Sequence, residues 1–240
     1  MSETIPFTPI GHVISPYKEK FAIPRQPGLV SAAKGFIHLT EEVNNPEAFR
    51  GIESFSHLWV IFVFHATQEQ GWKPLVRPPR LGGNSKTGVF ATRSTFRPNA
   101  IGMSVVKNHG LVKSGENWQL AISELDLLHG TPVLDIKPYI PYSDAITNVQ
   151  AGFAQQKPES LMDVHFTEAV TQDLTQFVQQ FPDLKVLIEQ VLAQDPRPAY
   201  KKDKIDTKNY GIRLYDFNIM WRLISASEIE VYQLQYQPDR

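Results

Sequence analysis

The sequence predicts a mainly β protein: an N-terminal β-barrel domain in residues 1–150, followed by a smaller α+β domain in residues 155–240. Three observations carry this. Short runs rich in β-branched and aromatic residues follow one another through the first part, with no helical pattern alternating between them. The chain has 18 prolines, many of which bracket these runs and favour short strands and turns. After about residue 150 the apolar spacing changes to that of helices. Strands repeated at short spacing point to a closed or nearly closed barrel, because closure removes exposed edges.

The first strand lies in residues 5–14 and ends at Ser15-Pro16. Residues 17–28 are polar, without periodicity, and end in Pro24-Arg25-Gln26-Pro27-Gly28, which reads as a functional or flexible loop. Residues 29–39 are strand-like. Asn45-Pro46-Glu47 supplies a cap, a proline at the first helical position and an early acid, so a short helix or turn follows. Residues 55–64 form the most apolar run. Their aromatic and β-branched content predicts a buried central strand that delivers His65 at its end, either as a ligand contact or as a satisfied strand-end histidine. Residues 87–93, 101–112, 117–127 and 131–139 continue the series, with turns such as Ser114-Gly115 and His129-Gly130 between them. In the second part, Val170, Leu174, Phe177, Val178 and Phe181, then Leu184, Leu187, Ile188, Val191 and Leu192, mark two amphipathic helices separated at Pro182. Asp195-Pro196-Arg197-Pro198-Ala199-Tyr200 stops the helix and runs into Lys201, Lys202 and Lys204. It is a rigid polar stretch that no core requirement explains. Residues 210–223 and 228–236 close the chain as a hairpin.

Composition excludes several chemistries. Cys is absent, which removes disulfides, thiolate catalysis, cysteine-ligated zinc and cysteine-held iron–sulfur clusters, and a cytoplasmic location is the expectation. There is no apolar run of about 18 residues, so no membrane span is expected, and the first residues lack the pattern of a secretory signal. The seven histidines are scattered with no metal-binding spacing, and no metal is expected. Gly82-Gly83-Asn84-Ser85-Lys86-Thr87-Gly88 fails the phosphate-loop order, and no G-x-G-x-x-G or G-x-S-x-G occurs.

Charge is more informative. Residues 70–115 contain no Asp or Glu but carry Lys73, Arg77, Arg80, Lys86, Arg93, Arg97, Lys107 and Lys113. The chain has 24 Lys and Arg against 25 Asp and Glu, so this near-neutral protein concentrates its positive charge in one segment. That asymmetry fits a polyanionic partner, although folding could also bring acids from elsewhere against it. Within the segment, Val89 to Ala91 reads as a strand end, and Arg93 and Arg97 follow on a polar loop before Pro98-Asn99 turns the chain. Two guanidiniums on such a loop suit an anion or a base; the plain alternative is a hairpin with two solvated arginines. Among the acids, Glu124 and Asp126 are expected on one strand face and Asp135 with Lys137 on another. They are positioned to accept a proton or bind polar ligand groups, or simply to pair with the barrel's arginines.

The motifs Ser15-Pro16-Tyr17-Lys18, Pro24-Arg25-Gln26-Pro27-Gly28, Phe55-Ser56-His57-Leu58-Trp59, Ala91-Thr92-Arg93, Arg97-Pro98-Asn99-Ala100-Ile101-Gly102, Leu125-Asp126 and Gly130-Thr131-Pro132-Val133-Leu134-Asp135-Ile136-Lys137-Pro138-Tyr139 occur in this order. Together with Asp195-Pro196-Arg197-Pro198-Ala199-Tyr200 and Asp216-Phe217-Asn218, they make the chain resemble the TsaA/TrmO-like family of β-barrel tRNA methyltransferases over nearly its whole length. The resemblance implies an S-adenosylmethionine-dependent enzyme without a Rossmann sheet, which methylates N6 of threonylcarbamoyladenosine next to the tRNA anticodon, and a homodimer. It implies cofactor contacts from Gln26, Pro27, Gly28, His65, Ala66, Arg93, Met103, Ser123, Glu124, Leu125 and Asp126. Ala66 and Ala100 are small where relatives can carry larger residues.

Two carboxylates, Asp126 and Asp135, are the candidates for taking the acceptor proton. Tyr17, Lys18, Arg25, Arg77, Arg80, Lys86, Arg97, Asn99, Lys137 and Arg197 are the expected contacts to the tRNA anticodon stem-loop, with Phe96 or Tyr17 stacking on the unstacked base. The competing readings are a non-catalytic RNA-binding barrel and a methyltransferase acting on a small metabolite.

Overall fold

The computed structural model describes residues 4–156, 162–198, 201 and 206–238. Ala199, Tyr200, Lys202 and Lys204 of the expected basic stretch lie outside the described residues. The first part contains β1 (Gly11–Ile14), β2 (Lys34–Leu39), β3 (His57–Val63), β4 (Leu75–Val76), β5 (Thr87–Gly88), β6 (Ile101–Ser114), β7 (Asn117–Ser123) and β8 (Pro132–Pro138). Six of these close a barrel in the order β1-β2-β7-β6-β3-β8, and β4 and β5 form a small separate hairpin. All barrel pairings are antiparallel, and β1 with β8 makes the seam at Gly11↔Val133 and His12↔Pro132. Strand alternation sends Leu58, Val60 and Phe62 of β3 and Val106 of β6 into the core. Gly35 lets β2 approach β1: a Cβ there would lie 2.4 Å from the carbonyl oxygen of Ile14.

The first part ends in α1 (Pro141–Asp144), and the second contains β9 (Asp163–Phe166), α2 (Glu168–Phe177), α3 (Leu184–Ala193), β10 (Asn209–Leu214), β11 (Phe217–Leu223) and β12 (Glu228–Tyr236). Its sheet has the order β10-β11-β12-β9, with β9 parallel to β12. The two expected helices form, and they bury Val170, Leu174, Leu184, Leu187, Ile188, Val191 and Leu192. The expected closing hairpin is a three-stranded meander, because Tyr215 adopts a left-handed conformation (φ 49°) and turns the chain between β10 and β11. A continuous hydrophobic core runs from the barrel into this sheet. Tyr17 bridges to Leu214, Tyr215 N–H donates to Pro16 O (2.7 Å), and Gln190 Oε1 accepts from Ala32 N–H (2.9 Å). The second part therefore braces both ends of the loop between β1 and β2.

Other differences from the sequence expectation are local. Val89–Ala91 is a 3-10 turn and not a strand end. Its carbonyls are tied down by side chains: Thr92 Oγ1 donates to Val89 O (2.8 Å), and Arg97 Nη1 donates to Thr92 O (2.7 Å) and Val89 O (3.3 Å). The Asn45-Pro46-Glu47 turn forms as expected, with Asn45 Oδ1 accepting from Glu47 N–H (3.0 Å) at the start of a short 3-10 helix. Among the described residues no helix is long and apolar enough to cross a membrane.

Candidate active site

A cavity of about 520 Å³ opens at the barrel mouth where β3 ends, β6 begins and the chain leaves β7. This is within the usual size range of small-molecule sites, roughly 300–1,000 Å³. Phe62, Phe64 and Phe96 supply aromatic wall, and Ile23, Leu127 and Leu128 supply aliphatic wall. Phe62 and Phe64 meet edge to face at 5.1 Å. Gly102 beneath them has no space for a side chain, since a Cβ would come within 2.4 Å of Phe62. The walls are thus fixed by packing before any ligand arrives.

Asp126 is the carboxylate of this cavity, half-buried beside the buried Ser104 and Thr131. β7 ends at Ser123, and Glu124 then takes a left-handed conformation (φ 61°). Leu125 packs into the core, and Asp126 lines the cavity together with Leu127 and Leu128. Ser104 Oγ donates to Asp126 Oδ1 at 2.6 Å. Burial raises the Asp126 pKa to about 6, against the lowering effects of the Ser104 hydrogen bond, its own backbone N–H and the Arg93 charge. A carboxylate titrating close to neutrality can take up and release a proton under physiological conditions.

Three loops form the rim. Lys20 Nζ donates to Ala66 O (2.8 Å), which clips the first loop to the 3-10 turn His65–Gln70. Arg93 Nη1 donates to Gln26 Oε1 (2.7 Å), which clips the first loop to the segment before β6. His65 lines the cavity, and burial lowers its pKa, opposed by a hydrogen bond to the Val63 backbone and aided by the His12 and Lys20 charges.

The structure therefore brings Gln26, His65, Ala66, Arg93, Met103 and Asp126 together in one cavity. The remaining expected cofactor residues support it from behind. Gly28 N–H donates to Glu124 O (2.9 Å), and Glu124 N–H donates to Ala33 O (2.9 Å), which fixes the first loop against the wall. Pro27 lies in that loop beside Gln26 without lining the cavity, Leu125 is core, and Ser123 Oγ bonds His109 Nε2 (2.7 Å). Glu124 and Asp126 do not share a strand face, because the left-handed residue breaks the alternation. Glu124 instead faces Lys107 at 3.9 Å.

Several substrate expectations need correction. Tyr17 is fully buried between the barrel and the second sheet, so its ring cannot stack on a base. Arg197 is buried and grips Asp195 through Nε (2.8 Å) and Nη2 (2.9 Å), so this part of the polar stretch is a structural ion pair. Arg97 turns back onto backbone carbonyls and lies over the Phe90 ring at 5.6 Å. Asp135 pairs with Lys137 (2.7 Å) and caps its own strand through Ile136 N–H (2.9 Å). Neither side chain lines the cavity, so Asp135 is not brought together with Asp126. Lys18 and Asn99 also lie off the cavity. Arg25 lines it, and Arg77, Arg80 and Lys86 are exposed around the β4–β5 hairpin. Sequence reasoning missed Ser104. Its signal was a lone hydroxyl on the inward face of a strand, between Gly102 and Val106.

The cavity suits S-adenosylmethionine. The aromatic and aliphatic walls would take its adenine, Arg93 would take its amino-acid carboxylate, and Asp126 places a carboxylate in the same wall. Among the described residues no group of three or more His, Cys, Asp or Glu could hold a metal ion. The barrel and this site define an S-adenosylmethionine-dependent methyltransferase that lacks a Rossmann sheet. Residues 12–145 match the family described as tRNA-methyltransferase O N-terminal domain, and residues 159–237 match the TrmO C-terminal domain. The chain belongs to the tRNA-methyltransferase O family. It is 52% identical to the tRNA (adenine(37)-N6)-methyltransferase of Escherichia coli K12, over 95% of this chain and 97% of that one. It is 46% identical to a Pseudomonas aeruginosa protein named putative S-adenosylmethionine-dependent methyltransferase RcsF, over 89% and 90% of the two chains. A crystal structure of TrmO from P. aeruginosa superimposes with a TM-score of 0.81 at 40% identity, covering 97% of this chain and 98% of that one.

Replacing Arg93 by Ala removes the charge facing the cavity and the clip to Gln26 together. Calorimetry is expected to show S-adenosylmethionine affinity falling about tenfold to a hundredfold, the range for a charge-assisted hydrogen bond. Unchanged affinity in a folded variant would remove Arg93 from the site.

Proposed function

We propose that this protein transfers a methyl group from S-adenosylmethionine to N6 of threonylcarbamoyladenosine, the modified base beside the tRNA anticodon. Membership of the tRNA-methyltransferase O family carries the coarser statement, S-adenosylmethionine-dependent methylation of tRNA adenine 37 at N6. The observation that carries the finer one is Asp126, a carboxylate in the cavity wall with a pKa of about 6. An N6 attached to a carbamoyl group is a poor nucleophile while it keeps its proton, because its lone pair is delocalised into both carbonyl and purine. A base titrating near neutrality is what such an acceptor requires.

When bound, S-adenosylmethionine supplies an electrophilic methyl group on a sulfonium. The residues of this chain do the rest. Arg93 and the aromatic walls orient the two reactants, and the packed mouth excludes water. Asp126 Oδ accepts the N6 proton while Ser104 holds that carboxylate in place.

We further propose that residues 1–150 form the cofactor-binding domain and residues 155–240 a bracing domain, in a homodimer that works in the cytoplasm. Exposed apolar side chains on the barrel wall, the cross-strand neighbours Ile14 and Phe36 among them, support the dimer. A cavity of this size with a half-buried carboxylate in its wall also favours catalysis over a barrel that only reads RNA. The test is incubation of the purified protein with S-adenosylmethionine and anticodon stem-loops carrying adenosine or threonylcarbamoyladenosine, followed by nucleoside mass analysis. One added methyl group on the threonylcarbamoyl nucleoside is the expected product. Methylation of unmodified adenosine at equal rate would defeat the finer assignment.

A further inference from the structure

A second cavity, of about 230 Å³, lies beside the first, between the Lys20–Arg25 side of the first loop, Pro79, and the chain leaving α3 from Val191 to Pro198. The two cavities share Lys20, Ile23, Pro24 and Arg25 as a common wall. We infer that the smaller cavity is a subsite for a carboxylate-bearing, amino-acid-sized substituent on N6 of the acceptor adenine, and that Arg25 is its anion receptor. This rests on the threonylcarbamoyladenosine reading above and adds where the substituent lies.

Size comes first. At about 30 Å³ per water, the space holds roughly seven or eight atoms of that size. That is an amino acid and not a nucleoside. The wall chemistry is mixed in the same sense. Val30 and Val191 offer a surface for a methyl group, and Pro24, Pro79, Pro196 and Pro198 give walls whose φ angles are fixed in advance.

Charge is the stronger observation. The Arg25 guanidinium has no hydrogen-bond or ion-pair partner among the described residues. The acid whose charge reaches it, Asp195, already gives both carboxylate oxygens to Arg197, at 2.8 and 2.9 Å. Burial lowers the Arg25 pKa, the Asp195 charge opposes that and the more distant Arg80 cation adds to it, so the one guanidinium on this wall without a partner among the described residues faces a space whose acid is already paired. A carboxylate placed there gains a charge-assisted, bidentate partner in Arg25. The buried Asp195–Arg197 pair, with Asp195 held at φ 49°, fixes the far wall. This also gives the polar stretch after α3 a role at the site without any contact from Arg197 to the RNA.

The experiment compares three anticodon stem-loops that differ only at adenine 37: unmodified, threonylcarbamoylated, and threonylcarbamoylated with the threonine carboxylate as its methyl ester. Dissociation constants are measured by fluorescence titration with the full chain saturated with S-adenosylhomocysteine, so that no turnover intervenes. The wild type is expected to bind the free acid about tenfold to a hundredfold more tightly than the ester. Arg25→Gln should bind acid and ester alike, and Arg25→Lys should keep part of the preference, since an ammonium keeps the charge but not the fork. The wild-type comparison stands even if a variant fails to fold. If the wild type prefers the modified loop but treats acid and ester alike, or if folded Arg25→Gln keeps the acid preference, the subsite assignment is overturned and the proposed function survives. If the wild type binds unmodified and modified loops equally, the substrate reading itself falls, and the subsite with it.

Discussion

Asp126→Asn is expected to lower kcat by about a hundredfold to ten-thousandfold, the range for loss of a positioned general base, while making the protein more stable. The two effects share one cause. Burial raises the Asp126 pKa from 3.8 to about 6 in the folded chain. A raised folded pKa means that the carboxyl costs nothing below about pH 3.8, where it is neutral in both states. The cost grows as pH rises through the window to about 6 and is present in full above it. At 1.36 kcal/mol per pKa unit, the upper bound is about 3 kcal/mol at neutral pH. The amide variant removes that cost and can still accept from the Ser104 hydroxyl. Its melting temperature at pH 7.5 should rise by several degrees, at roughly 2–4 °C per kcal/mol for a chain of this size, and the gain should vanish near pH 4. In the wild type, kcat/KM should fall about tenfold per pH unit below about pH 6. A variant that keeps wild-type turnover, or that melts lower at neutral pH, would show that Asp126 is neither the base nor strained by burial.

Much of the barrel was legible because its strands carry their own pattern. In β3, an unbroken apolar run of aromatic and β-branched residues marks a buried strand, and the strand does deliver His65 to the rim. The helices α2 and α3 were equally legible from their spacing. What failed is where a single backbone angle or a side-chain clip decides the outcome. Glu124 at φ 61° breaks the period, so two acids that read as neighbours on one face part company. Val89–Ala91 reads as strand from its side chains, yet Thr92 and Arg97 capture its carbonyls and close a turn. Tyr17 and Arg197 are amphipathic, and nothing in their local sequence says that the second sheet will cover them. Their burial is a tertiary fact, and it removes these two side chains from the expected RNA contacts. Asp126 was legible as a possible proton acceptor from its place among the acids near the basic segment, and the motif resemblance added the site; the structure places it in the cavity wall beside Ser104.

Neutralising Arg77 and Lys86 together is expected to halve the salt dependence of tRNA binding. Of the eight cations in residues 70–115, folding occupies several. Arg97 holds backbone, Lys107 lies 3.9 Å from Glu124, Lys73 sits over Phe96 at 4.5 Å, and Lys113 sits over Trp118 at 5.9 Å. Arg77, Arg80, Lys86 and Arg93 are exposed, with Arg80 Nη2 donating to Gln156 O and Arg93 Nη1 to Gln26 Oε1, so among the described residues Arg77 and Lys86 are the two that folding leaves unengaged. The β4–β5 hairpin that carries Arg77 and Lys86 is anchored next to the cavity rim, because Lys73 N–H donates to Phe96 O (3.2 Å) and Val89 N–H donates to Pro74 O (3.0 Å). RNA phosphates lying along it would therefore run directly past the site. With about four phosphates engaged at roughly 0.8 counterions each, a fourfold rise in salt should weaken wild-type binding by roughly a hundredfold. With two contacts removed the loss should be only about tenfold. S-adenosylmethionine affinity should stay unchanged, since neither residue lines the cavity. Lys185→Ala is the control. That lysine sits on α3 over the Phe166 ring, on the second domain, and its loss should leave the slope alone. The measurement is a salt titration of tRNA binding for the three proteins. A double variant with the wild-type slope would mean that the hairpin faces solvent in the complex, and that the acid-free segment owes its charge to something other than RNA.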